Sequence, residues 1–178
     1  MLEEIGAPYE LTIMTREEQQ TPEHRRRHPL GGVPVLEDDA GFLFESAALC
    51  LHLADLHPQA QLNPPPGTHE RALAYQWTLF SMTELEPAII ESRRGEDDPA
   101  RAQAGGERFQ VAARLVEAAL DGHDYLVGNH FSVADLVCGA TLFFGKSARL
   151  TGGLSSINAY LTRLEERPAR IRANEVKP

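Results

Sequence analysis

A small α+β unit followed by an all-helical bundle is the two-domain fold class that this sequence predicts, and three observations predict it. Strand signals are confined to the first 57 residues. A proline-rich run occupies residues 58–67, and from residue 68 onward only helical periodicity remains. The predicted organisation is therefore 1–57, a linker at 58–67, and 68–178.

Each element has its own signal. Tyr9-Glu10-Leu11-Thr12-Ile13 alternates with a period of two, which predicts a strand after a turn at Gly6 and Pro8. Thr15 to His28 is polar and aperiodic, which predicts a loop with one helical turn at most. Val33–Glu37 and Phe42–Phe44, joined by Asp38-Asp39-Ala40-Gly41, predict a hairpin. Leu49, Leu53 and Leu56 then recur at helical spacing, so residues 47–56 form a helix with Ser46 at its N-cap.

The consecutive prolines at 64–66 exclude helix and place the domain boundary there. Helices are predicted over 69–92, 100–120, 133–147 and 156–167, with turns at Asp97-Asp98-Pro99 and Gly152-Gly153. Phe109, Ala113, Val116 and Leu120 mark the buried stripe of the second. The third opens on a capping box, Ser132 with Asp135, and a staple of Phe131 on Leu136. Its continuation to Phe144 is apolar on nearly every face, which predicts the middle of a bundle and a structural role for Ser132 and Asp135.

Composition narrows the function classes. The chain is 42% hydrophobic and 24% charged, the balance of an ordinary globular protein. No apolar run approaches the ~20 residues of a membrane span, and no basic segment leads into an apolar one at the N-terminus, so a cytoplasmic location is the default expectation. A formal charge of −9 argues against nucleic acid and anionic membranes as partners. Arg25-Arg26-Arg27, between Pro22 and Pro29, is read as a solvated segment. Cys50 and Cys138 fall in apolar helical patterns with no basic neighbour, as reduced core thiols do. His24 and His28 are four apart with no third ligand, so they are read as surface histidines and no metal is assigned.

The most informative stretch is Gly31-Gly32-Val33-Pro34-Val35-Leu36 with Glu45-Ser46 after it. Pro34 cannot donate to a ladder and holds Val33 extended, leaving the Val33 main chain free to pair with a peptide-like ligand. Ser46 opens a helix whose unpaired N–H groups attract a carboxylate.

Those residues, in that order, resemble the glutathione S-transferase family. His28 to Glu37 is similar to its Pro-x-Gly-x-Val-Pro-x-Leu signature, and Glu45-Ser46 to its acidic-residue-plus-serine step. Gly128-Asn129-His130-Phe131-Ser132-Val133-Ala134-Asp135 resembles a motif of its C-terminal domain. The resemblance implies an incomplete thioredoxin-like N-terminal domain followed by the helical bundle. It implies a cis Val33–Pro34 bond and a glutathione site made by Val33, Pro34, Glu45 and Ser46. Two positions depart from the family pattern: Gly32 stands where many relatives carry Lys or Gln, and His28 replaces a common Asn.

Residues 1–10 resemble the end of the family's first helix and the start of its second strand. The expectation is thus that the first strand and most of the first helix, on the order of twenty residues, are absent. In the family that piece carries the Tyr, Ser or Cys that activates the thiol, so no catalytic residue is assigned. The resemblance implies glutathione as co-substrate, a small electrophile as second substrate, a homodimer and a detoxifying conjugation. The alternative is a non-catalytic scaffold that keeps the fold for dimerisation and binding.

Overall fold

The computed structural model describes residues 1–94 and 98–176, of which the turn expected at Asp97 lies outside. The N-terminal part contains α1 (Leu2–Ile5), α2 (Arg16–Gln19), α3 (Pro22–Arg27), the strands β1 (Val35–Asp38) and β2 (Gly41–Phe44), and α4 (Ser46–Leu56). A 3₁₀ turn at Pro58–Ala60 leads through the prolines to α5 (His69–Phe80), a π-helical turn (Ser81–Leu85) and α6 (Glu86–Ser92). The remainder is α7 (Pro99–Ala119), α8 (Val133–Ser147), α9 (Ser155–Glu165) and α10 (Pro168–Glu175).

The hairpin forms as expected, with β1 and β2 antiparallel and Val35 opposite Phe44, Leu36 opposite Leu43, Glu37 opposite Phe42 and Asp38 opposite Gly41. Its two-residue loop is closed by Asp38 Oδ1, which accepts from the N–H groups of Ala40 at 2.8 Å and Gly41 at 3.1 Å. The predicted strand at Tyr9–Ile13 does not form. Among the described residues none of its main-chain groups is hydrogen-bonded to another, and the sheet consists of β1 and β2. Alternation specifies which side chains share a face, but a strand exists only where a neighbour pairs with it. Tyr9, Leu11 and Ile13 are all exposed.

The expected loop at 15–28 contains two short helices instead. Thr15 and Glu18 form a reciprocal capping box, with Thr15 N donating to Glu18 Oε2 at 2.7 Å. Thr21 caps α3 and Pro22 occupies its first turn, where its missing N–H costs nothing. The helix expected over 69–92 is helical throughout but passes through the π turn at Ser81–Leu85. Pro87 cannot donate to Thr83, and the wider turn before it accommodates the lost bond. Arg108 Nη2 donates to the Thr83 carbonyl at 3.4 Å. A further helix, α10, follows α9 where none was expected.

The core lies in the helical part, where Leu85, Ile89, Phe109, Val116, Val133, Leu142, Ile157 and Leu161 are fully buried. α8 runs through its middle, against α4, α5, α6 and α9. α6 packs so closely on α7 that a Cβ on Gly105 would lie 2.5 Å from Ser92 N and 2.9 Å from Ala88 O. The buried Asp135 carboxylate accepts from Leu126 N, Ser132 N, Ser132 Oγ and Tyr160 Oη at 2.9–3.0 Å. Ser132 Oγ accepts in turn from Ala134 N at 3.3 Å. Burial raises the Asp135 carboxyl above its usual range despite those donors.

α4 and α5 are joined by a buried arginine. Arg71 donates to Asp55 Oδ1 at 2.6 Å, to the Pro64 carbonyl at 2.7 Å and to Tyr75 Oη at 2.9 Å. Burial pulls its guanidinium down, but the bonds to Tyr75 and Asp55 outweigh that and the net shift is upward.

No side chain of its own caps α9. Glu117 of α7 does so from outside, accepting from Ser156 N and Ile157 N at 2.8 Å each. Burial raises this carboxyl, but the Ile157 and Ser156 bonds prevail and its pKa is lowered. Its stabilisation is therefore complete above the ordinary carboxylate value and lost as pH falls through the lowered folded value. Glu117→Ala is expected to cost about 1 kcal/mol in urea unfolding at pH 7, with the difference from wild type closing in acid.

Candidate functional site

The hairpin register decides where the sequence-predicted residues go. Since Val35 faces Phe44, the two chains leave the sheet at the same end, one as Val33-Pro34 and the other as Glu45-Ser46. All four candidate residues are thereby brought together. The Val33–Pro34 peptide is cis, and Val33 is 58% exposed. Among the described residues its N–H and C=O make no main-chain hydrogen bond.

Ser46 is not the N-cap that its residue type predicts. Glu45 holds that position, at φ 73° and ψ 105°, and Ser46 is the first helical residue. The chain turns from β2 directly into α4, and the sharp reversal falls on Glu45, in a region that side-chain-bearing residues rarely adopt. No side chain accepts from the first-turn N–H groups of α4, so this end of the helix presents free donors beside the unpaired Val33 main chain.

Glu86, which sequence reasoning did not connect with this site, faces it from the start of α6. Its carboxyl is pushed up first by burial and then by the negative charge of Glu45. The sequence contains no signal for this pairing, because 41 positions separate the two residues and only the packing of the bundle on the hairpin joins them.

The two histidines expected at the surface are buried. His24 Nε2 donates to the Gly32 carbonyl at 2.8 Å, and His28 Nδ1 accepts from Leu30 N at 3.2 Å with its ring 4.7 Å from that of Phe44. Arg25–Arg27 form the last turn of α3, where cations suit the helix dipole. Neither thiol has the environment of a nucleophile. Burial pushes Cys138 up to about 12 and raises half-buried Cys50 as well. The Tyr9 hydroxyl is engaged by Glu3 at 2.9 Å, which raises its pKa. Among the described residues no group of three metal-ligating side chains occurs, and no helix is long and apolar enough to cross a membrane.

Comparison with known proteins identifies the family of the fold. Residues 1–64 match the family model described as glutathione S-transferase, N-terminal domain, and residues 72–168 the one described as glutathione S-transferase, C-terminal domain. Glutathione S-transferase 4 of Zea mays is 30% identical over 191 residues, covering 99% of this chain and 85% of the relative. A glutathione transferase structure from Methylococcus capsulatus superposes with a TM-score of 0.90 at 29% identity, over 98% of this chain and 89% of that one. A sphingomonad glutathione S-transferase solved in complex with glutathione gives 0.88 at 26% identity, over the same shares. The thioredoxin-like N-terminal part, the helical C-terminal part and the matches that span both make this chain a member of the glutathione S-transferase family.

Proposed function

We propose that the chain binds glutathione at the open end of the hairpin and serves its conjugation to small electrophiles. The observation that carries this reading is the register, which sets an unpaired Val33 main chain beside the uncapped start of α4. In it, the Val33 N–H and C=O pair with the cysteinyl part of the tripeptide as an added strand would. Ser46 and the first-turn N–H groups of α4 receive the γ-glutamyl carboxylate. Glu45, with Glu86 close behind, receives the γ-glutamyl ammonium. Pro34 ends the strand-like segment and keeps its edge open.

In the reaction the glutathione S–H bond breaks with its proton passing to solvent, and the sulfur electron pair forms a bond to an electrophilic carbon as that carbon's leaving group, or the electron pair of its double bond, is displaced. This chain's contribution is to hold the tripeptide so that encounter with the electrophile becomes effectively unimolecular. The organisation proposed with it is 1–57 for glutathione, 58–67 as linker and 68–178 for the electrophile, in a cytoplasmic homodimer. The Arg71 bonds across the linker support a fixed relation between the first and last of these.

Calorimetry with glutathione tests the reading. The wild-type chain is expected to give a saturable heat at millimolar ligand, and Ser46→Ala to weaken binding about tenfold through loss of a hydrogen bond to a charged group. Absence of any heat from the folded wild type overturns it.

Glu86 provides an independent check on the electrostatics. Its folded pKa is raised, so the native state bears the charge at a cost that is full at neutral pH and vanishes below the ordinary carboxylate value. Glu86→Gln is expected to raise the melting temperature of the ligand-free chain at pH 7, with the gain fading toward pH 4.

A further inference from the structure

Two imidazoles lie beneath the turn that carries Val33. His24, on α3, is only 2% exposed, and His28, just after it, 7%. His24 Nε2 meets the Gly32 carbonyl at 2.8 Å while its Nδ1 is buried without a partner. Since a carbonyl can only accept, the proton sits on Nε2 and the ring is a donor. The Gly32 carbonyl and the Val33 N–H belong to one planar trans peptide and point in opposite directions. By drawing the carbonyl inward, His24 turns the Val33 N–H outward.

His28 acts on the same peptide by bulk. Its Nδ1 is fixed by Leu30 N, its carbonyl accepts from Gly31 N at 2.8 Å, and its ring lies against Phe44 of β2. A Cβ placed on Gly32 would stand 2.9 Å from His28 Nε2 and 3.0 Å from Cε1, closer than real contacts allow. The ring is held on both sides and cannot withdraw. His28 thus occupies the space that a side chain at position 32 would need, and the two family departures noted in the sequence are one steric event.

We propose that His24 and His28 are positioning residues for glutathione, His24 by aiming the Val33 N–H at the ligand and His28 by being size-matched to Gly32. The proposal rests on the glutathione reading above for its ligand, but the orientation of the Val33 peptide is a property of the ligand-free chain. Both histidines act through the Gly32–Val33 peptide. The consequence is that side chains at 28 and 32 are exchangeable only as a pair, with a smaller residue at 28 admitting a larger one at 32.

The 178-residue chain, labelled with ¹⁵N, tests this with three variants. His24→Phe keeps an aromatic ring at a slightly larger volume, removes the donor to the Gly32 carbonyl and also removes the orphaned Nδ1, and its melting temperature should fall by no more than several degrees. Its ligand-free spectrum should show the Val33 amide displaced, and glutathione affinity should fall about tenfold. Gly32→Ala should displace the same amide and weaken binding, and His28→Asn/Gly32→Ala should return both toward wild type, a recovery that general destabilisation would not produce. A His24→Phe chain with the Val33 amide and the affinity unmoved overturns the role of His24. A double variant no better than Gly32→Ala overturns the pairing. Should His24→Phe not fold, the other two still decide the pairing and, through the Val33 resonance, the control of that peptide. Should wild type not bind glutathione, the ligand assignment falls while the amide displacements continue to judge the positioning.

Discussion

Pairing of Val35 with Phe44 is the constraint from which the rest of the site follows. A register shift of one residue would turn every side chain of β1 to the other face and move Val33 away from the start of α4. The register is protected at the loop by Asp38, whose carboxylate closes the two-residue turn, and at the open end by the His28–Phe44 contact. A two-stranded sheet is marginal by itself. Its persistence here depends on α4 and on the histidines packed behind the turn.

The helical part supplies the rigidity that the small sheet lacks. Asp135 joins the segment before α8, the first turn of α8 and Tyr160 of α9 in one buried set of hydrogen bonds. Arg71 fastens the linker to α4 and α5. The π turn before Pro87 leads directly into α6, and Glu86 is the first residue after it. A local backbone defect imposed by proline thereby coincides with the element that carries a carboxylate toward Glu45.

Much of this was legible in the sequence where the signal is local. The Asp38–Gly41 turn, the Ser132–Asp135 box and the Phe109–Val116 stripe are each specified by residues within one or two turns of each other, and each formed as expected. The box at Thr15–Glu18 and the Thr21 cap before Pro22 were equally local but were obscured by the absence of an apolar stripe, since helices of four and six residues have no face long enough to show one. Tyr9–Ile13 failed for the opposite reason: its alternation is real, but strand formation depends on a partner that alternation does not reveal. At the candidate site, the sequence singles out the four residues that the register brings together, but not the relations among them. Ser46 was placed one position early because residue preference cannot anticipate a left-handed Glu45. His24 and His28 were misplaced at the surface because burial of a histidine depends on finding a carbonyl such as that of Gly32.

The start of α4 is built at a cost that its own contacts do not recover. Glu45 occupies a strained conformation, worth on the order of 1–3 kcal/mol, and the helix forgoes a side-chain cap worth about 1 kcal/mol. Thr15, Thr21, Thr68, Asp98 and Ser132 each accept from the helix that they precede, α9 borrows Glu117, and α1 and α10, which also lack a side-chain cap, do not start from a residue of positive φ. An uncapped, strained helix start beside an unpaired main chain is therefore a local exception, and the two deficits share one remedy. A ligand with a carboxylate for the helix and a peptide edge for Val33 would relieve both at once. Strain and open hydrogen-bonding groups retained in the free protein are then binding free energy held in reserve, which favours this end of the hairpin over the better-satisfied turn at Asp38 as the location of the proposed glutathione site.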